Sequence, residues 1–141
     1  MTPEQISLIE QSFRAVLPIR TAAADIFYRR LFELDPSLKP LFSKSDMAEQ
    51  GSKLMASLGF VVQGLRRPEA ILPVVEDLAR RHVGYGVREA HYGTVGAALI
   101  GTLEEGLGEA FDKDVREAWT AAYGLLSGVM IAAAGAGKRA A

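Results

Sequence analysis

Leu78-Ala79-Arg80-Arg81-His82-Val83-Gly84-Tyr85-Gly86-Val87 carries one of the two histidines in the chain. His82 closes an apolar stripe, Ile71, Val75, Leu78 and His82, whose spacing is that of one helix face. A glycine pair, Gly84 and Gly86, then breaks the helix just past the imidazole. A ring carried inward at a helix end needs a buried partner for its second nitrogen, and a metal is one such partner.

Outward from this stretch, the punctuation predicts helices and little else. Thr2-Pro3-Glu4-Gln5 is a helix start, with Thr as cap, Pro in the first helical position and Gln three residues after the Thr. Ile6, Ile9, Phe13 and Val16 follow at helical spacing, ending before Pro18. A second helix is expected from about Ile19 to Leu34, stopped by Asp35-Pro36. A short third one spans Ser37 to Phe42. Met47, Gln50, Leu54, Leu58 (or Ser57), Val61 and Leu65 mark the inward face of a long helix, and Arg66-Arg67-Pro68-Glu69 reads as a loop. After the His82 helix come one from Glu89 to about Leu107, stopped by Gly108, and a last one from Asp112 to about Ala134. No stretch alternates over a strand length, and no repeat is visible. The chain reads as all-α, seven or so helices of unequal length in a single domain over residues 1–141, with about 135–141 a frayed tail. Unequal lengths and the short piece after Asp35-Pro36 suit the globin arrangement, helices crossing pairwise around a pocket, better than a four-helix bundle.

Composition narrows the chemistry. Hydrophobic residues make up 49% and charged residues 23%, the balance of a soluble globular domain. A net charge of −1 argues against nucleic acid or a membrane surface as partner. The absence of cysteine excludes disulfides, thiolate metal sites, a cysteine nucleophile and thioether-linked cofactors. The N-terminus lacks a signal-peptide pattern, and the uncharged stretch from Ala121 to Gly137 is slightly short for a membrane span, so a cytoplasmic location is expected.

Three inward positions are polar: Tyr28 on the stripe of Ala24, Phe27, Leu31 and Phe32; Gln50 on that of Met47, Leu54 and Leu58; and His82. Each costs a few kcal/mol to bury without a hydrogen-bond partner. Any one of them alone reads as a satisfied core residue; three on separate helices point to a polar pocket. A metal held by side chains alone is implausible with one histidine and no clustered carboxylates. If His82 binds iron, most of the other ligands must come from a macrocycle, which points to haem with a proximal histidine.

Seven segments carry a resemblance over about Glu4 to Ile131. They are Ile26-Phe27-Tyr28-Arg29-Arg30-Leu31-Phe32, Leu38-Lys39-Pro40-Leu41-Phe42, Gln50-Gly51-Ser52-Lys53-Leu54, Ile71-Leu72-Pro73, Arg81-His82, Ala90-His91-Tyr92-Gly93-Thr94-Val95-Gly96 and Ala118-Trp119-Thr120-Ala121-Ala122-Tyr123-Gly124. In this order they resemble a bacterial single-domain globin, close to the globin domain of flavohaemoglobins. The resemblance implies haem b (iron protoporphyrin IX) with His82 as its proximal ligand and Phe42 packed flat on the ring. Tyr28 and Gln50 become the distal pair, with Leu54 one turn beyond, while Leu78 and Val87 pack near the proximal side. Lys53 and Arg81 read first as solvated charges and second as partners for haem propionates. His91 reads as a helix-start histidine.

The chain also departs from that pattern. Tyr92 matches a tyrosine that in flavohaemoglobins bonds a glutamate from the last helix, and that position falls here on Ala134. No flavin or nicotinamide domain is expected beyond residue 141. Both features weigh against a self-sufficient nitric oxide dioxygenase. The resemblance implies reversible, high-affinity binding of oxygen, with carbon monoxide and nitric oxide as further diatomic ligands. The function expected is oxygen binding, transport or ligand scavenging. The alternative is nitric oxide dioxygenation served by a separate reductase.

Overall fold

The computed structural model describes residues 1–84 and 87–140. Its order is α1 (Pro3–Val16), a 3-10 turn (Leu17–Ile19), α2 (Arg20–Leu34), a 3-10 segment (Pro36–Phe42), α3 (Met47–Gly64), α4 (Pro68–Gly84), α5 (Glu89–Leu107), a 3-10 turn (Gly108–Ala110) and α6 (Lys113–Ala140). Among the described residues no strand occurs.

The helix ends follow from local chemistry. Thr2 and Gln5 form a reciprocal capping box at α1, each side chain accepting the other's backbone N–H at 3.1 and 3.0 Å. Asp46 caps α3 by accepting from Ala48 and Glu49, and Asp112 caps α6 by accepting from Val115. Gly108 ends α5 at a φ of 57°, a left-handed setting that favours glycine.

Three boundaries differ from expectation. Pro68 and Glu69 form the first turn of α4 rather than a loop, because proline lacks only an N–H that a first turn leaves unbonded anyway. Ser37 to Phe42 is 3-10 rather than α, with Pro40 inside it. The tail helix runs on to Ala140, since alanine favours helix and each intervening glycine costs only about 1 kcal/mol. The predicted break past His82 coincides with the end of α4 at Gly84, while Tyr85 and Gly86 lie outside the described residues.

The helices bury two clusters. The larger joins α1, α2, α3, α5 and α6 through Ile9, Phe13, Phe27, Leu31, Met55, Leu99, Leu103 and Trp119. Trp119 Nε1 donates to Ser12 Oγ at 2.8 Å, and Ser12 in turn donates to the Leu8 carbonyl at 2.7 Å, so the indole is buried without an orphan N–H. The smaller cluster joins α4 to α5 and α6 through Val75, Ala79, Tyr92, Met130 and Ala133. Gly51 lets α3 close on α2: a Cβ there would come 3.0 Å from that of Ala24. α6 is long and apolar enough to cross a membrane by length and composition, and in this fold it lies along α1, α4 and α5.

Candidate functional site

The expected inward face of α3 is not its most buried face. Gly51, Met55 and Val62 go fully into the core, whereas Gln50, Leu54, Leu58, Val61 and Leu65 stay half-buried and Met47 is 37% exposed. These large apolar side chains are only partly covered by the clusters they pack against. The stripe joins the two clusters. Leu54 and Leu58 pack on the larger one, as Tyr28 and Phe42 do, and Val61 packs on the smaller one, as Leu78 and Val87 do.

At one end of this stripe stands an aromatic group. Tyr28 meets Phe42 edge-on with ring centroids 5.6 Å apart, Phe32 meets Phe42 at 5.5 Å, and Phe27 meets Tyr28 at 5.1 Å. The Tyr28 hydroxyl donates to the main-chain carbonyl of Gln50 at 3.3 Å. This contact involves the Gln50 backbone, where the sequence suggested only its side-chain amide as a partner in the pocket. It is longer than the usual O–H···O range of about 2.5–3.0 Å, and therefore weak. Burial pushes the Tyr28 phenol up to about 12, so it stays a protonated donor through the physiological range.

The histidine stands on α4, whose Leu78 packs on the smaller cluster. His82 is half-buried on the last turn of α4, and its Nδ1 lies 2.8 Å from the Leu78 carbonyl oxygen. A carbonyl only accepts, so Nδ1 carries the proton, and in the neutral ring the electron pair lies on Nε2, the tautomer suited to binding a metal. Burial holds the imidazole below its ordinary proton affinity, with the Leu78 bond opposing in part, which favours that neutral form. The corner is fixed from the far side by Val87, whose N–H donates to the His82 carbonyl at 3.0 Å.

Other candidates fall elsewhere. Lys53 and Arg81 are exposed and paired within their own helices, with Glu49 at 3.6 Å and with Asp77. Such pairs are worth only a fraction of a kcal/mol and yield readily to a better partner. The Nδ1 of His91 accepts the Arg88 backbone N–H at 2.9 Å, a helix-start role. Among the described residues no cluster of histidine and carboxylate side chains could hold a metal by itself.

The Globin family model matches residues 25–130. The chain belongs to the globin family. It is 33% identical over 133 residues to a flavohemoprotein of Bordetella parapertussis, and 35% identical over 128 residues to one of Chromobacterium violaceum. Those alignments cover 93% and 89% of this chain but 33% and 31% of the relatives, so the chain spans about a third of their length. Among solved structures, a bacterial globin from Campylobacter jejuni superposes with a TM-score of 0.84 at 27% identity, covering 94% of this chain and 96% of that one. An engineered carbene transferase, made from a Rhodothermus marinus protein provisionally named a nitric oxide dioxygenase, gives 0.88 at 23% identity over 99% and 97%, a likeness of fold alone.

The smaller cluster holds a buried hydroxyl. Tyr92 is 8% exposed in the smaller cluster, and among the described residues its hydroxyl has no partner. Ala134 stands one turn beyond Met130, which packs in the same cluster. The backbone carbonyl of Tyr92 is held by the Tyr123 hydroxyl at 2.6 Å. That link and the place of Phe32, Leu58 and Val61 beside the site went unread in the sequence. The continuing stripe from Leu54 signalled Leu58 and Val61; the bond from Tyr123 to the Tyr92 carbonyl, between separate helices, left no signal.

Proposed function

We propose that this globin is a haem protein that binds a diatomic ligand, oxygen first, between His82 and the pair Tyr28 and Gln50. The observation that carries the reading is the half-buried apolar stripe of α3, which runs from Tyr28 to the cluster of the His82 helix. The donor set suits a haem: one imidazole with its Nδ1 anchored on the Leu78 carbonyl, and no second side-chain ligand set among the described residues. His82 would hold the iron, Phe42, Leu54, Leu78 and Val87 would give the ring apolar contact, Tyr92 would back the proximal side, and Lys53 and Arg81 would offer charges for its propionates. When bound, the haem supplies an iron centre with one coordination position open to a diatomic molecule.

The chain's own part is then polar and apolar at once. Tyr28 and Gln50 would offer hydrogen-bond donors to the diatomic ligand, each bond worth about 1.5–3 kcal/mol where the acceptor is charged. To do so, Tyr28 gives up the 3.3 Å bond to the Gln50 carbonyl, which lies at the weak end of the range of about 0.5–1.5 kcal/mol. The exchange favours the ligand. Phe27, Leu31, Phe42 and Leu54, all of the larger cluster, would keep water away from it.

Nitric oxide dioxygenation with electrons from a separate reductase is the second reading, favoured by the likeness to flavohemoproteins. The unbonded Tyr92 hydroxyl favours the first, since no carboxylate from α6 joins it to strengthen the histidine as a ligand. Oxygen titration of the reduced, haem-loaded protein tests the proposal. A reversible oxygenated spectrum is expected, and immediate oxidation with no reversible stage would refute it. Sustained nitric oxide consumption with an added flavin reductase would favour the second reading.

A further inference from the structure

The connection from α4 to α5 is tied at two consecutive amides. Val87 N–H donates to the His82 carbonyl at 3.0 Å, and Arg88 N–H donates to His91 Nδ1 at 2.9 Å. The first bond bears on the proximal side, because the His82 carbonyl is among the last four of α4, which a helix leaves without partners of its own. In the second, the third residue of α5 reaches back to the N–H just before the helix. The His91 N–H returns a bond to the Arg88 carbonyl at 3.0 Å. His91 itself is half-buried.

The place that His91 fills commonly holds Glu or Gln. Gln does not titrate, and Glu does so well below neutrality, whereas histidine is the side chain whose charge changes between pH 5 and 8. An N–H only donates, so Nδ1 carries the electron pair and the proton of the neutral ring sits on Nε2. A second proton would set N–H against N–H, and the bond to Arg88 cannot survive that. A cation there would also meet the positive end of the α5 dipole. Among the described residues, Arg88 and Glu89 flank His91 on the same turn. Arg80, Arg81 and His82 end α4, with Arg81 paired to Asp77. α3 carries no charged residue after Lys53, and α6 none from Ala118 to Gly135.

We infer that His91 is a positioning residue for the proximal histidine: through Arg88 and Val87 it fixes the end of α4 that carries His82, and its protonation releases that hold. The inference rests on the haem reading for its consequence, but the tie itself needs no haem. With His91 neutral, the His82 carbonyl keeps a fixed donor and the last turn of α4 stays closed. With His91 protonated, Arg88 N–H loses its acceptor, Val87 is freed with it, and the turn that carries the imidazole loosens.

Two variants separate the parts: His91→Gln keeps an acceptor that does not titrate, and His91→Leu has none. NMR of the haem-loaded protein saturated with carbon monoxide should show the Arg88 and Val87 amides shifting with the His91 ring in one titration between pH 8 and 5. Both amides should stay still in His91→Gln. At pH 8 their protection from hydrogen exchange should fall about two- to thirtyfold in His91→Leu, the range of a lost helix cap, and return in His91→Gln. The iron–histidine stretching band of the reduced protein, read by resonance Raman, should move between pH 8 and 5 in the wild type. It should hold the wild type's pH 8 position in His91→Gln and its pH 5 position in His91→Leu. Amides that ignore the His91 titration would overturn the inference, as would a band that shifts alike in wild type and His91→Gln or does not shift at all. A protein that takes up no haem would refute the haem reading, while the same amide titration in it would still decide the tie, so the two failures are separable.

Discussion

Tyr28→Phe removes one hydroxyl and little else. The phenyl ring keeps its contacts with Phe27, Phe32 and Phe42, and the Gln50 carbonyl loses only a 3.3 Å bond. The hydrogen bond to a charged acceptor is worth about 1.5–3 kcal/mol, and regaining the weak contact to Gln50 offsets about 0.5 kcal/mol of it in the unliganded wild type. The net loss is about 1–2.5 kcal/mol, or roughly five- to sixtyfold in oxygen affinity. Affinity differences of this kind lie mostly in dissociation. Stopped-flow displacement of oxygen by carbon monoxide should therefore show release accelerated by that factor, while carbon monoxide, less polarised, should be held almost as before. Oxygen release within about twofold of wild type would show that Tyr28 does not donate to the ligand, and would shift that role to Gln50. Burial pushes the phenol up to about 12, so the wild-type rate should stay flat up to about pH 10.

Other expectations follow from the same packing. Stability of the haem-free protein should fall as pH drops through about 6.5, because the unfolded chain takes up a proton there that His82, held below its ordinary value by burial, resists in the folded state. The slope of melting temperature against pH should be shallower in His82→Leu, and an identical slope would refute it. Tyr92→Phe removes a hydroxyl without a partner and should leave the haem-free protein as stable or up to about 1 kcal/mol more stable by urea unfolding. A clear loss would mean that the hydroxyl is bonded. Gly96→Ala would set a Cβ 2.7 Å from the Tyr123 ring, displacing the hydroxyl that holds the Tyr92 carbonyl, and should cost about 1–3 kcal/mol on the same assay.

How far the sequence reaches differs by feature. Caps and breakers are local chemistry, so Thr2-Pro3, Asp35-Pro36 and Asp112 placed helix ends to within a residue or so. Pro68 misled because the same residue both breaks a helix and begins one. Periodicity found the stripe Gln50, Leu54, Leu58 and Val61 but assigned it to the core. Spacing says only that a face is apolar, not what it meets, and the deeply buried face of α3 is set by Gly51, whose missing side chain admits α2. Hydrogen bonds between distant segments left no trace in the sequence. Tyr28 to the Gln50 carbonyl, Trp119 to Ser12 and Tyr123 to the Tyr92 carbonyl exist only because the helices cross as they do.

The central claim is that His82 Nε2 holds an iron porphyrin, and adding haem to the purified protein while recording its absorption tests it most directly. The account predicts uptake of one haem per chain with a Soret band. It also predicts loss of that spectrum in His82→Gly and its return when free imidazole is supplied to the vacated position. Absence of a Soret band in the wild type, or an unchanged spectrum in His82→Gly, would contradict it.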